Sequence, residues 1–327
     1  MSSAESWRPS AGLEALRARA SMLQRLRAFF AERGVLEVET PILSHAGATD
    51  PSLGSLTTLW RGSDAPGGQL LYLHTSPELL MKRLLAAGSG PIYQVCKVFR
   101  DGERGRRHHP EFSLLEWYRP GWALEALIDE VAALVRRLLE RPALGVEIIR
   151  FRDLFRERLA VDPWKADASA LRAAAESAGL AGCDRLELDR DGWLDLLMSR
   201  CLEPELGRGC MTFIRDYPPT QAALARVNPG PPAVALRFEL YLDGMELANG
   251  FDELTDVHEQ SARFEADLEA RRIAGLPQPP LDAVFLSALE AGLPSSSGVA
   301  LGLDRLLMCA LGADQIDEVL AFPVERA

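Results

Sequence analysis

Between Arg100 and His109 the sequence Arg-Asp-Gly-Glu-Arg-Gly-Arg-Arg-His-His places four arginines and two histidines within ten residues. Gly102, Gly105 and Pro110 break this run. Strand patterns precede it at Ile92–Phe99 and follow it at Phe112–Tyr118. A basic loop tied at both ends to strands suits a polyphosphate, because each guanidinium offers a planar fork of donors to phosphate oxygens. On charge alone, a solvated basic loop would read the same way. The exit strand separates the two readings. Phe112, Glu116 and Tyr118 are spaced by even numbers, so a regular strand turns all three to one face. An aromatic plate, a carboxylate and a phenol beside a basic loop describe a site for a nucleotide and a cationic small molecule.

A second group of acids lies in Phe238–Leu254. Asp243-Gly244 is a strong two-residue hairpin signal. With that turn Tyr241 faces Glu246, and Glu239 lies diagonally on the same face. Diagonal neighbours are ~7–8 Å apart, near enough for two carboxylates to hold one Mg²⁺ together with phosphate and water. A polar solvent face is the alternative. However, Leu240, Leu242 and Leu247 already supply the opposite face, so acids turned inward would need a cation. Under strict alternation Asn249 and Glu253 fall on the wrong face. Either a bulge at Gly250 re-aims them, or the register is shifted by one.

The elements around these groups follow from periodicity. Ala11–Arg33 is predicted to be a helix closed by Gly34, followed by a helix-to-strand corner through Pro41. Leu70–His74 reads as a strand. Ser76-Pro77-Glu78 then opens a helix to about Ala87, ended by Gly88. Glu78 suits the first turn of that helix on dipole grounds alone. Ala123–Glu140 is amphipathic, and helical patterns at Phe151–Leu159, Ala168–Ala178 and Asp191–Leu202 suggest a helical insertion over about 142–206. Thr212–Ile214 returns to strand, and a turn follows at Pro218–Gln221. Thr255–Ala274 reads as a surface helix. From Ser297 a small-residue strand leads into a helix capped by Asp304. Gly302 there permits close backbone approach to a ligand, and Arg305 in the first turn can reach a terminal phosphate.

A net charge of −11 argues against a broad nucleic-acid surface. Five scattered cysteines without a Cys-x-x-Cys pair suggest reduced thiols, a cytoplasmic protein and no zinc site. No signal core precedes the first helix, and no run approaches the ~18 apolar residues of a membrane span.

The basic loop and its exit strand (Phe-Arg … His-x-Pro-Glu-Phe … Glu-x-Tyr) resemble the second motif of class II aminoacyl-tRNA synthetases in its lysyl form. Gly34–Leu43, with Pro41, resembles the first motif. Ser297–Leu307, with Gly-x-Asp-Arg, resembles the third. Thr75-Ser76-Pro77-Glu78 and Glu246-x-x-Asn249-Gly-Phe-x-Glu253-Leu match the lysine-type elements between them. The resemblance implies an α+β fold with an antiparallel sheet flanked by helices, a homodimer built on the first motif, and ATP-dependent activation of a carboxylic acid as an adenylate. It also favours the bulge at Gly250.

Residue by residue, the resemblance implies that Arg100 meets the α-phosphate and the substrate carboxylate. Arg305 and His108 take the outer phosphates, and Phe112 stacks on adenine. Asp101, Gly102, Glu103, His109, Leu247 and Gly302 complete the ATP contacts, and Glu239 and Glu246 hold Mg²⁺. Glu78, with Ser76 and Pro77, and also Asn249 and Glu253, hold the substrate's amino group. Glu116 and Tyr118 receive its ε-ammonium.

A single helix before the first motif leaves no room for the anticodon-binding barrel of lysyl-tRNA synthetases. The chain is therefore read as one catalytic domain over 1–327 that does not act on tRNA. In this it is most similar to the elongation factor P–(R)-β-lysine ligase family, which acylates a lysine of elongation factor P. Trp7-x-Pro9-Ser10, Met81–Leu85, Leu115–Pro120 and Glu325-Arg326-Ala327 fit that family. Ala300 stands where lysyl-tRNA synthetases have Gly, and one methyl is worth ~1–3 kcal/mol of discrimination. That methyl can favour (R)-β-lysine over lysine. Two positions depart from the family pattern: Gly102 replaces a Glu, leaving Glu103 as the nearest acid, and His109 replaces an Asn. The alternatives are a free-standing enzyme that acylates tRNA, a carrier protein or a small amine, and a catalytically silent amino-acid-binding paralogue.

Overall fold

The first apolar stripe becomes helix α1 (Leu13–Ala31), which buries Ala15, Met22, Leu26, Phe29 and Phe30 in a computed structural model that describes residues 7–327. Gly34 follows it in the left-handed region at φ 64°. The chain then forms β1 (Leu36–Glu37), β2 (Leu43–Ser44), β3 (Thr57–Gly62), β4 (Ala65–Leu73), α2 (Glu78–Ala86), β5 (Ile92–Phe99) and β6 (Glu111–Pro120). The strands β2, β4 and β3 make a small antiparallel sheet, of which the sequence pattern shows only the end of β4. Leu71 is buried, but Leu43, Leu59, Trp60 and Leu70 are exposed, so apolar side chains do not mark one inner face.

β1 runs parallel to β5, and β5 pairs antiparallel with β6 from Phe99 opposite Glu111 to Ile92 opposite Tyr118. Helix α1 lies against this pair. Phe30 stacks on Tyr93 at 4.3 Å between ring centroids and meets Trp117 at 5.5 Å.

From Trp122 the chain builds a second compact unit, which extends to Leu254 and includes Ser297–Val299; the remainder of the chain belongs to the first. The second unit begins with α3 (Leu124–Leu139), whose apolar face is buried, and β7 (Gly145–Arg150). Next come α4 (Phe151–Leu159), α5 (Ala168–Ser177) and α6 (Arg190–Leu197), the last continued by a π turn to Leu202. Phe151, Phe155, Trp193, Leu197, Tyr217 and Tyr241 form the centre of its core. Strand β7 is an addition to the helical reading of 142–206. Its Val146 and Ile148 are exposed, and its parallel partner, β8 (Cys210–Tyr217), lies some sixty residues on, so no local pattern shows it.

β9 (Val227–Asn228), β10 (Val234–Leu242) and β11 (Met245–Asp252) follow, with β10 antiparallel to β8, β9 and β11. Asp243 and Gly244 both have positive φ, 52° and 69°, as a tight hairpin turn requires. Tyr241 faces Glu246 as expected. The bulge, however, is at Leu247 and not at Gly250: Leu240 pairs with Ala248 and Tyr241 with Glu246, so Leu247 is the extra residue. Glu239 therefore faces Asn249 directly. Gly250 has another role. It lies opposite Phe238, and a Cβ there would stand 2.4 Å from that ring.

The chain returns through α7 (Val257–Ile273), capped by Asp256, then α8 (Ala283–Gly292), β12 (Ser296–Gly302) and α9 (Leu303–Leu311). The cap of α9 is Gly302, not Asp304. Asp304 is buried in the first turn, where it accepts 2.6 Å from the Ser113 N–H of β6 and pairs with Arg19 of α1. Parallel and antiparallel pairings both occur, so the sheet structure is mixed within an α+β fold.

Gly250→Ala should cost about 1–3 kcal/mol, because the added methyl meets the Phe238 ring rather than open space. Urea unfolding measures this; an unchanged midpoint would contradict the packing described.

Candidate active site

In the first unit, the Arg100 N–H donates to the Pro110 carbonyl at 2.9 Å and closes the basic loop. Gly102 adopts φ 78°, which explains why a residue without Cβ occupies this position and the acid comes one residue later. That acid, Glu103, is 3.5 Å from Arg100 Nη1. The Arg100 guanidinium lies 5.0 Å from the Phe112 ring centroid, and its Nε is buried without a hydrogen-bond partner. Arg305 Nη2 donates to His108 Nε2 at 2.7 Å, and its Nε donates to the Arg107 carbonyl. Burial, followed by the charge of Arg305, lowers the pKa of His108, so a neutral ring accepts that bond. Asp101 pairs through its backbone with Gly54. Arg100, Glu103, Phe112, His108 and Arg305 thus come together, an arrangement of two guanidiniums beside an aromatic wall that could hold an anion.

The loop's other charges point elsewhere. Arg104 binds Glu325 and Asp317, and Arg106 binds Asp314. His109, expected among the ATP contacts, is buried with both ring nitrogens engaged. Its Nε2 accepts from the Val324 N–H at 2.8 Å, so Nδ1 carries the proton and donates to the Glu111 carbonyl at 2.5 Å.

Glu78, Ser76 and Glu116 form an acidic corner in the same unit. Helix α2 begins one residue later than expected, with Pro77 as its cap, and the Ser76 hydroxyl accepts from the Glu78 N–H at 3.0 Å. That hydroxyl donates to Glu116 Oε2 at 2.7 Å, while the Tyr118 phenol donates to Oε1 at 2.5 Å. Burial, and then the nearby charge of Glu78, push the Glu116 carboxyl up to about 7. Glu78 itself has a resident cation that the sequence reading missed. Lys82, its side chain wholly buried, donates to Glu78 at 2.5 Å from the i+4 position. That spacing was legible in the sequence.

Ala300, half-buried, and Gly302 are on β12, just before Arg305.

The second unit holds the other acids. Glu239 is buried. Its Oε1 pairs with Arg237, and its Oε2 accepts from Tyr217 at 2.6 Å and from Tyr241. Burial and the charge of Glu239 raise both phenols well above their ordinary pKa, keeping them as donors. With a guanidinium on one oxygen and two phenols on the other, Glu239 does not fit the role of a magnesium ligand. Among the described residues, no group of three or more His, Cys, Asp or Glu side chains is placed to hold a metal ion.

Arg237 also donates to Asn249 Oδ1 at 3.1 Å and to the Gln221 carbonyl at 2.7 Å, the latter in the Pro218–Gln221 turn. A guanidinium only donates, so the Asn249 oxygen must face it, which leaves the NH₂ group as the amide's donor side. Asn249 therefore suits a carboxylate or phosphate oxygen rather than the ammonium expected of it. Glu246 is half-buried opposite Tyr241, Leu247 is the buried bulge residue, and Glu253 is buried with its backbone bridged to Ala225. Arg237 could have been found from its place two residues before Glu239 on one strand face. Tyr217 had no local signal.

Residues 6–326 match the family model of class II tRNA synthetases (D, K and N), and the chain belongs to this family. It is a ligase of the class II synthetase type. It is 51% identical over 326 residues to the elongation factor P–(R)-β-lysine ligase of Erwinia tasmaniensis, with 100% of each chain covered. Similar ligases of Klebsiella pneumoniae subsp. pneumoniae and an Enterobacter species are 50% and 48% identical, again over 100% of each chain.

Two outcomes are expected of these clusters. Arg237→Ala leaves Glu239 buried without its cation and should destabilise the protein by about 3–5 kcal/mol in chemical unfolding. Glu116 holds its proton more tightly folded than unfolded. The stability this gives is complete below about 4.5 and is lost as pH rises to about 7. Melting across that window should show the loss in the wild type and not in Glu116→Gln.

Proposed function

We propose that the protein activates (R)-β-lysine, or lysine, with ATP and transfers it to a lysine side chain of elongation factor P. The carboxylate attacks the α-phosphate, pyrophosphate leaves, and the acceptor's deprotonated ε-amine then attacks the adenylate carbonyl and expels AMP. The observation that carries this reading is Glu116: a buried carboxylate whose hydrogen bonds come from two hydroxyls, in a corner that suits the terminal ammonium of a lysine-like substrate. The names of the full-length relatives support the β-isomer and the acceptor.

In this reading Arg100 neutralises charge developing at the α-phosphate, with its unpartnered Nε as the group held for the ligand. Arg305 and His108 hold the outer phosphates, Phe112 lies under adenine, and Asp101, Gly102, Glu103 and Gly302 frame the nucleotide. Tyr118 and Glu116 take the ε-ammonium. Ser76, Pro77, Glu78 and Glu253 receive the other amine, Asn249 orients the carboxylate, and Ala300 selects the isomer. Glu246 is the acid we assign to the Mg²⁺ that accompanies ATP, with Leu247 as the bulge that turns it.

Several broader features belong to the same proposal. The 327 residues act as one catalytic domain with an insertion at about 142–206. They act in the cytoplasm, as five free thiols support, and without tRNA as acceptor. The working form is a homodimer through the first motif, supported by exposed Leu36, Ile42 and Leu43 in and beside it. No helix among the described residues is long and apolar enough to cross a membrane.

ATP–pyrophosphate exchange with lysine and (R)-β-lysine, followed by labelled transfer to elongation factor P or bulk tRNA, tests the reading. Transfer to tRNA and not to the protein would overturn it. Arg100→Ala should lower exchange by about 3 kcal/mol of activation free energy, the scale of one lost transition-state donor; near wild-type exchange would remove Arg100 from its role.

A further inference from the structure

Arg104, Arg106 and His109 of the basic loop share one destination. Arg104 Nε donates to Glu325 Oε1 at 2.6 Å, and its Nη2 donates to Glu325 Oε2 at 3.2 Å and to Asp317 Oδ2 at 2.8 Å. Arg106 Nη2 donates to Asp314 Oδ1 at 2.6 Å and its Nε to the Asp314 carbonyl at 2.8 Å, while the Arg106 carbonyl accepts from the Ile316 N–H at 2.9 Å. His109 accepts from the Val324 N–H. Residues 314–325 therefore grip the second half of the loop, from Arg104 to His109.

This segment follows α9, whose Arg305 reaches back to His108 and the Arg107 carbonyl of the same loop. It is anchored in turn: Ser10 and Ala11 N–H groups donate to the carbonyls of Ala321 and Leu320, and Arg326 binds Ser10 and the Arg8 carbonyl. The loop contains Gly102 and Gly105 and no apolar side chain from Arg100 to His109, so its shape depends on outside ties. An isolated half-exposed ion pair contributes little. Arg104 differs because its fork is bidentate on one acid and shared with a second, which fixes direction as well as distance.

We infer that Asp317 and Glu325 are positioning residues for nucleotide binding: through Arg104 they hold the loop so that Arg100, Glu103 and His108 present a preformed anion site. This rests on the reading that the loop takes ATP, and it adds a set of residues outside the three motifs.

The test is the double variant Asp317→Asn/Glu325→Gln, which keeps size and removes both charges, with Asp317→Glu/Glu325→Asp as the charge-conserving control. ATP binding is measured by calorimetry, and KM for ATP and for the amino acid by pyrophosphate exchange. The neutral variant should bind ATP about tenfold more weakly, as expected when about 1.4 kcal/mol of positioning is lost. Its KM for the amino acid and its melting temperature should stay near wild type, and the control should recover most of the affinity. A neutral variant that binds ATP as well as wild type would overturn the positioning role alone. Equal rises in both KM values with a lowered melting temperature would also overturn it, as general destabilisation. Wild-type protein that bound no ATP would instead overturn the nucleotide reading beneath it.

Discussion

A carboxylate taken out of water must be met by a cation or by enough hydrogen-bond donors, or it takes up a proton. That constraint organises both units. Glu78 is met by buried Lys82, Glu239 by Arg237 and two phenols, and Asp304 by Arg19 and a backbone N–H. In each case the cation comes from the protein itself. Glu116 differs, because its hydrogen bonds come only from neutral hydroxyls and its carboxyl is pushed up to about 7. These four acids therefore divide into three already paired with a cation of the protein and one, Glu116, held by neutral donors alone.

The same division applies to the arginines. Arg100 and Arg305 turn toward Phe112 and His108, whereas Arg104 and Arg106 turn to acids near the end of the chain. A count of positive charge in the loop treats Arg100, Arg104 and Arg106 alike. Direction is set by partners two hundred residues away, and only the folded chain supplies those.

Much of the fold was legible where its cause is local. The Asp243-Gly244 turn, the facing of Tyr241 and Glu246, and helices α1, α3, α4 and α7 follow from turn chemistry and apolar period. The motifs carried the class of the fold, because their residues lie in an order that few other chains share. What was not legible depended on long-range pairing. The bulge at Leu247 looks from the sequence like an ordinary apolar strand residue. Gly250 attracted the bulge assignment because a glycine in a strand suits both a bulge and a ring packed against it. His109 looked like part of the anion site because the backbone N–H that occupies it belongs to Val324. The loss of an expected acid at Gly102 is explained only by the sign of its φ.

The Ser76 hydroxyl has a single proton, and the geometry gives it to Glu116 while the oxygen accepts from the first N–H of α2. The head of that helix and the buried acid are thus joined through one rotatable atom. Any change of charge at Glu116 therefore alters the pull on a proton whose oxygen also holds the first N–H of the helix bearing Glu78 and Lys82.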